Sequence, residues 1–345
     1  MTDKNYFIYV GPHRSGSTFL QTYIFPNIEN VYVPFRHDPM FNYRIQSEMD
    51  AHPMYVDIPA LRKELDKRLE HVEDKNVVIS DEEYFGDYGH YNSDGNYIIE
   101  PFHNHQYRAQ FLAQLYPEAK IILSPRRQDH WVQSAYMHFV QNYATISIDE
   151  FLYRTSDADK KPYAFHSRLP GVNYQRLHWL KYIENYGSLF GPKNVLVVPQ
   201  DMVARDLNLA INRLVGFMGV TPYYPESAPQ PGLSLSNRAL HLLLLLSPFV
   251  SYPGHRIGFI PAKPFSLKLK KMRAKKDSKL LWALAGISRR IDLYWFLGNV
   301  VDRFGYKRPD VLGPEKRKMI LDYYREHNIA FAKAIDLDLQ KYGYF

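Results

Sequence analysis

With 345 residues, 46% of them apolar, the chain can bury a large core, and it fits one α/β domain better than two small ones. The absence of cysteine excludes disulfides and thiolate metal sites and is compatible with a reducing compartment. The formal charge of +7 is concentrated between Lys263 and Lys279, where eight cations face Asp277 alone; no reading motif accompanies it, which argues against a nucleic-acid partner.

Met1 leads through a polar stretch into the first apolar run, with no basic and apolar leader, so the expected location is cytoplasmic. Tyr6–Val10 is aromatic and β-branched and reads as a buried strand. Gly11 and Gly16 follow with the spacing that lets backbone N–H groups close around an anion, and a helix is expected from there to about Phe25, where Pro26 stops it. An ATP-binding loop carries Lys before its Ser or Thr; here Ser17 stands in that place and the cation comes earlier, at Arg14. Further strands are expected at Val31–Pro34, Val77–Ser80, Lys120–Ser124 and Asn194–Val198. Helices are expected over Pro59–Val72, Gln106–Tyr116, Asp129–Gln141, Tyr174–Tyr186, Leu207–Met218, Asn237–Leu246 and Glu315–Leu337. The alternation predicts a P-loop-like parallel sheet flanked by helices, with a mostly helical C-terminal third. The whole chain, 1–345, reads as a single domain: an α/β core over 1–220 and a helical, basic extension over 221–345. The apolar run Ala239–Val250 is too short to span a bilayer. Residues 82–107, rich in Tyr, His, Asn and Gly, read as a long functional loop.

Arg14-Ser15-Gly16-Ser17-Thr18 after the first strand resembles the first motif of the sulfotransferases that use 3′-phosphoadenosine 5′-phosphosulfate (PAPS). The resemblance implies that His13, Arg14, Ser15, Gly16, Ser17 and Thr18 hold the 5′-phosphosulfate and that Arg14 neutralises the leaving phosphate. The strand at Lys120–Ser124 runs into Arg126 and Arg127, two cations at a helix start, where the helix dipole disfavours them and an anion is called for. Ser134 follows eight residues after Arg126, the spacing at which the family holds the 3′-phosphate of PAPS. A guanidinium fork suits a phosphate dianion, and a hydroxyl adds a directional donor. Pro199-Gln200-Asp201 stands where the family has a Tyr-Glu-Asp type cluster. Val215–Val220, Leu233–Leu240 and the Tyr342-Gly343-Tyr344 end are weaker likenesses.

In open parallel sheets, ligands bind beyond the carboxyl ends of the strands. There the sequence places Arg14, then Arg36-His37-Asp38, then Asp81-Glu82-Glu83, then Arg126. The resemblance implies PAPS-dependent transfer of a sulfuryl group to an acceptor hydroxyl, on a carbohydrate or glycolipid, without a metal. The acceptor proton needs a base, and Glu82 ranks ahead of His37. His103 and His105 read as sugar contacts or exposed residues. Tyr84, Tyr88, Tyr91 and Tyr97 are placed to stack on an acceptor ring. The basic segment 263–279 offers peripheral contact with an anionic membrane or glycan, or is simply a solvated loop. Two alternatives stay open: a P-loop kinase-like phosphotransferase, and a non-catalytic nucleotide- or glycan-binding protein of the same fold.

Overall fold

Strand β1 (Asn5–Val10) is buried from its second residue onward and forms the spine of the molecule. The computed structural model describes residues 4–51, 53–73, 76–86, 90–91, 97–98, 104–142, 147–153, 174, 177–225, 235–246, 249–251, 260–261, 296–302, 307 and 309–345. The loop after β1 leads to a five-residue π-helix, Leu20–Ile24, and a 3₁₀ turn, Phe25–Asn27. The expected helix is thus present in a wider winding, with the Phe25 N–H bonded to the Leu20 carbonyl, and Pro26, which has no N–H, ends it.

Strand β2 (Val31–Tyr32) is shorter than expected, because Pro34 opens helix α1 (Pro34–His37) at once. Helix α2 (Pro39–Met49) was not among the expected elements. Asp38 caps it by accepting from the Met40 N–H, and Phe41, Ile45 and Met49 bury one face at four-residue spacing. Helix α3 (Ile58–Arg68) precedes β3 (Asn76–Ser80), after which residues Glu82–Phe85 form a 3₁₀ turn capped by Asp81. Strands β4 (His90–Tyr91) and β5 (Tyr97–Ile98) pair antiparallel. Next come α4 (His105–Leu115), β6 (Lys120–Leu123), α5 (Gln128–Asn142), α6 (Ile148–Tyr153), α7 (Trp179–Phe190) and β7 (Val195–Val197). Helices α8 (Gln200–Arg205), α9 (Leu207–Met218) and α10 (Asn237–Leu246) follow. The short parallel pair β8 (Val250–Ser251) and β9 (Ile260–Pro261) precedes the long helix α11 (Gly313–Ala334).

The main sheet has the order β2-β3-β1-β6-β7, and every pairing in it is parallel. Parallel strands need crossovers, and these put helices on the faces, so the strands are buried on both sides and read as continuous apolar runs. The chain leaves β1 toward β3 and later returns to its other side with β6. The change of direction falls between β1 and β6, and the crevice beyond their carboxyl ends is where such sheets take ligands. Helix α11 packs against α5 and α7, and Tyr324, Tyr342 and Tyr344 are fully buried against the α/β core. No helix among the described residues is long and apolar enough to cross a membrane. The basic segment 263–279, together with Tyr88 and His103, lies outside the described residues.

Candidate active site at the carboxyl ends of the strands

The loop after β1 folds back on itself. The Ser15 N–H donates to the Pro12 carbonyl at 3.0 Å, and the Ser15 hydroxyl donates to the same oxygen. Arg14 and Gly16 both adopt left-handed backbone, with φ of 68° and 78°. For Arg14 this costs roughly 1–3 kcal/mol, the kind of strain that recurs at ligand clamps. A Cβ at Gly16 would also lie 3.0 Å from the Gln200 side chain, which would have to give way. Ser15 and Ser17 are buried, while Gly16 and Thr18 face outward. The Arg14 Nε is buried and has no hydrogen-bond partner among the described residues.

Two tryptophans fasten this loop to the neighbouring strand end. The Trp131 indole N–H, from α5, donates to the His13 carbonyl at 2.6 Å. The Trp179 N–H, from α7, donates to the Arg126 carbonyl at 2.9 Å. Arg126 itself reaches across from β6 and donates from Nη1 to the Arg14 carbonyl at 2.8 Å. The two cationic positions are therefore tied together at the crevice between β1 and β6. Ser134 lies half-buried on α5, in the helix that Arg126 and Arg127 precede.

Arg127 is paired inside the protein. Its anion is internal: Nε and Nη2 form a bidentate pair with Asp129 at 2.6 and 2.9 Å, and Nη1 donates to the Tyr342 carbonyl at 3.2 Å. Asp129 is fully buried and also accepts from Arg317 of α11 at 2.6 Å. Burial alone would raise the Asp129 pKa, but the Arg127 hydrogen bond and the nearby cations overcome it and hold the carboxyl below its ordinary range. Asp201 behaves alike: burial opposes ionisation, and hydrogen bonds from His130 and the Arg127 backbone win. An external anion was expected for both arginines; a carboxylate two residues on satisfies the second of them.

On the other side of β1, the residues after β3 approach the loop. His13 Nδ1 lies 3.7 Å from Glu82 Oε2, and Nε2 lies 3.3 Å from Glu83 Oε2. Burial disfavours the His13 cation, but the Glu83 hydrogen bond and the charges of Glu83, Glu82 and Asp81 outweigh that and raise its pKa. Glu82 and Glu83 are each about half exposed, at 48% and 44% of their side-chain surface. Asp81 is anchored from α2, accepting from Gln46 at 2.6 Å and from Asn42 at 3.2 Å. Asn42 also donates to the Ser80 carbonyl at 2.7 Å, so α2 fixes the end of β3.

His37 sits elsewhere. It ends α1, is exposed, and stacks on Tyr32 with ring centroids 4.8 Å apart. Its strand, β2, is two places from β1 in the sheet, roughly 10 Å at ordinary strand spacing. Two other candidates belong to the core. Tyr84 is fully buried, so it cannot stack on an acceptor. His105 is buried among Phe85, Tyr182 and Tyr186, with Nδ1 2.7 Å from the Phe85 carbonyl. Burial lowers its pKa to about 4, so it is neutral and donates to that carbonyl; it contacts no sugar. Tyr91 and Tyr97 fall in the β4–β5 pair.

Four participants escaped sequence reasoning: Trp131, Trp179, His130 and Glu83 in its contact with His13. Only Glu83 had a signal, its place in the acidic run after β3. The indole and imidazole partners lie 53 to 118 residues away in the chain, and nothing local announces them.

Residues 7–225 match the family model of the Sulfotransferase family. No curated protein matches the chain. Among solved structures, the chain is similar to a sulfotransferase from Alicyclobacillus acidocaldarius, at 18% identity over 71% of this chain and 92% of that one, with a TM-score of 0.43. It is also similar to the sulfotransferase domain of the Synechococcus PCC 7002 olefin synthase, at 16% identity over 67% and 79% of the two chains, TM-score 0.32. A mouse sulfotransferase, SULT7A1, complexed with PAP is similar at 12% identity over 96% and 88%, TM-score 0.34.

Proposed function

Since the chain belongs to the sulfotransferase family, and its reaction is therefore sulfuryl transfer, we propose that the donor is PAPS and the acceptor a hydroxyl on a carbohydrate or glycolipid. The observation that carries the donor reading is the bond from Arg126 to the Arg14 carbonyl. It joins a guanidinium at the end of β6 to the anion loop at the end of β1. A donor with two separate phosphate groups needs two such positions, and ATP-type loops with Lys at the Ser17 place have a different charge layout.

In this reading the backbone N–H groups of residues 13–18, with Arg14, hold the 5′-phosphosulfate, and Arg126 with Ser134 holds the 3′-phosphate. The acceptor oxygen attacks sulfur in line. The bond from sulfur to the bridging oxygen breaks, and the electron pair leaves on the 5′-phosphate. Arg14, whose Nε has no hydrogen-bond partner among the described residues, gains most from that growing charge. Glu82 takes the acceptor proton. It stands after β3, next to β1 in the sheet, where His37 is two strands off. Its exposure leaves it open to an acceptor, and the largely buried His13 lies 3.7 Å from it. A phosphate loop, an arginine pair and a solvent-facing carboxylate on one edge support this order of roles. The carbohydrate acceptor rests on the polar aromatic composition of residues 82–107.

Calorimetric titration without metal is the test. Adenosine 3′,5′-bisphosphate should bind much more tightly than adenosine 5′-phosphate, since charge-assisted bonds at Arg126 and Ser134 are each worth about 1.5–3 kcal/mol. Equal affinities would remove the second phosphate position, and tight ATP–magnesium binding would favour the kinase alternative.

A further inference from the structure

Asp201 is a buried carboxylate that the proposed chemistry does not use. It is 3% exposed and accepts from three elements at once. The Arg127 backbone N–H donates at 2.7 Å, His130 Nδ1 at 2.6 Å and the Tyr344 hydroxyl at 3.0 Å. His130 also takes a hydrogen bond on Nε2 from Arg127 Nη2 at 2.7 Å, so Nδ1 carries the proton toward Asp201. Tyr344 comes from beyond α11 and is fully buried, and its carbonyl accepts from Asn328 of α11 at 2.9 Å. Asn328 in turn exchanges hydrogen bonds with Gln128, the first residue of α5.

We propose that Asp201 and Tyr344 are positioning residues for the donor: they set the turn between β6 and α5 so that Arg126 and Ser134 converge on the 3′-phosphate. The proposal rests on the donor reading given above. Its own ground is the geometry around Arg126. The residue after it is pinned at its N–H by Asp201 and at its guanidinium by Asp129. Arg126 is held at its carbonyl by Trp179 and at Nη1 by the Arg14 carbonyl. Gln200, the neighbour of Asp201, lies against Gly16 at the tip of the anion loop, and its N–H donates to the Pro125 carbonyl at 2.8 Å. Gln200 and Asp201 thus touch the anion loop and the residues on either side of Arg126, and Tyr344 fastens Asp201 from the far end of the described chain. Because Asp129 and Asp201 neutralise Arg127, the charge presented to the 3′-phosphate is that of Arg126. Loss of the Asp201 carboxylate leaves a buried N–H, an imidazole N–H and a phenol without their acceptor. The turn then loses its register, and the 3′-phosphate suffers more than the 5′-phosphate, whose loop is also held from within by the two Ser15 bonds to the Pro12 carbonyl.

The experiment measures dissociation constants for adenosine 3′,5′-bisphosphate and adenosine 5′-phosphate on the full chain, wild type, Tyr344→Phe and Asp201→Asn. The preference for the bisphosphate should fall roughly tenfold in Asp201→Asn and about threefold in Tyr344→Phe, as positioning mutations typically do, with 5′-phosphate affinity unchanged. Tyr344→Phe keeps the buried ring and loses only the hydroxyl, so it decides the matter if Asp201→Asn does not fold. Variants that melt at lower temperature yet keep the wild-type preference would overturn the proposal and leave these residues a purely structural role. A wild type without any preference would instead sink the donor reading, and this inference with it.

Discussion

The two sides of β1 are built on different terms. On the β6 side, Arg126, Arg127, Asp129, His130 and Asp201 are held by short bonds from α7, α11 and the Tyr342–Tyr344 segment, and the carboxylates are almost wholly out of water. On the β3 side, Glu82 and Glu83 are half exposed and reach His13 at 3.7 and 3.3 Å. A preorganised, dry site strengthens electrostatic contacts and costs nothing to reorganise at the moment of reaction. The β3 edge, with two acids and one shared imidazole, is open to solvent. The difference matches the proposed roles, with the rigid side assigned to the donor's phosphates and the open side to the acceptor.

The sharpest way to break that comparison is to disarm the open side. Glu82→Gln should lower turnover by about 10²–10⁴-fold if it is the general base, with bisphosphate affinity intact. His37→Ala, assayed beside it across pH, should stay active. A dead His37→Ala with an active Glu82→Gln would move the base to the sheet edge and undo the contrast. Arg14→Ala comes next. Its turnover should fall by roughly 10²–10³-fold, the cost of losing one donor to a developing charge, and more than its affinity for the bisphosphate product falls. Parallel measurement of rate and dissociation constants separates the two.

Stability tests the closed side. Asp129→Ala leaves Arg127 and Arg317 without their shared carboxylate and should cost about 3–5 kcal/mol in denaturant unfolding. Glu83→Ala, on the half-exposed side, should cost about 1 kcal/mol or less.

The smallest effect expected is in pH dependence, and its sign differs between the sides. The folded pKa of His13 is raised above its ordinary 6.5, so the stability from its pairing is complete below that value and is lost as pH rises through the folded pKa. Asp129 and Asp201 have folded values below the ordinary 3.8. Their contribution is present above that value and is lost as pH falls through the lowered folded ones. Unfolding curves of wild type and His13→Gln should therefore converge on the alkaline side only. Convergence on the acid side would mean that His13 is not held by the acids after β3.

Much of this layout was legible in the residues. The run Tyr6–Val10 gave the central strand because a strand buried on both faces has no polar alternation to hide it. Leu207–Met218 and Asn237–Leu246 matched α9 and α10 residue for residue. Arg14, Glu82 and Arg126 came to the same edge because parallel strands put all their carboxyl ends there. Helix α2 was overlooked although its signal was present: Asp38 as cap, Pro39 at the first turn, then Phe41, Ile45 and Met49. The absorption of Arg127 by Asp129 was also within reach, two residues away. What no local pattern carries is the fate of single polar atoms. Tyr84 and His105 sit in a stretch rich in polar and aromatic residues that reads as a functional loop, and His105 is buried by α7, whose Tyr182 and Tyr186 close over it from some 80 residues downstream. The Asp201–Tyr344 bond spans 143 residues and is a property of the finished sheet.

The indole bonds that tie the anion loop together have a spectroscopic side. Trp131 and Trp179 point their indole N–H at the carbonyls of His13 and Arg126, two residues proposed to hold the donor's phosphates. Indole emission responds to the field and hydrogen bonding at that nitrogen. A nucleotide that draws negative charge into the crevice should therefore report its own arrival in the protein's native fluorescence, with no label attached. The chain has four tryptophans, and the other two, Trp282 and Trp295, lie outside the described residues. Trp179→Phe and Trp131→Phe, titrated separately, would assign the change to one phosphate position or the other. Under the proposed donor reading, the two indoles would report on the two phosphate positions separately.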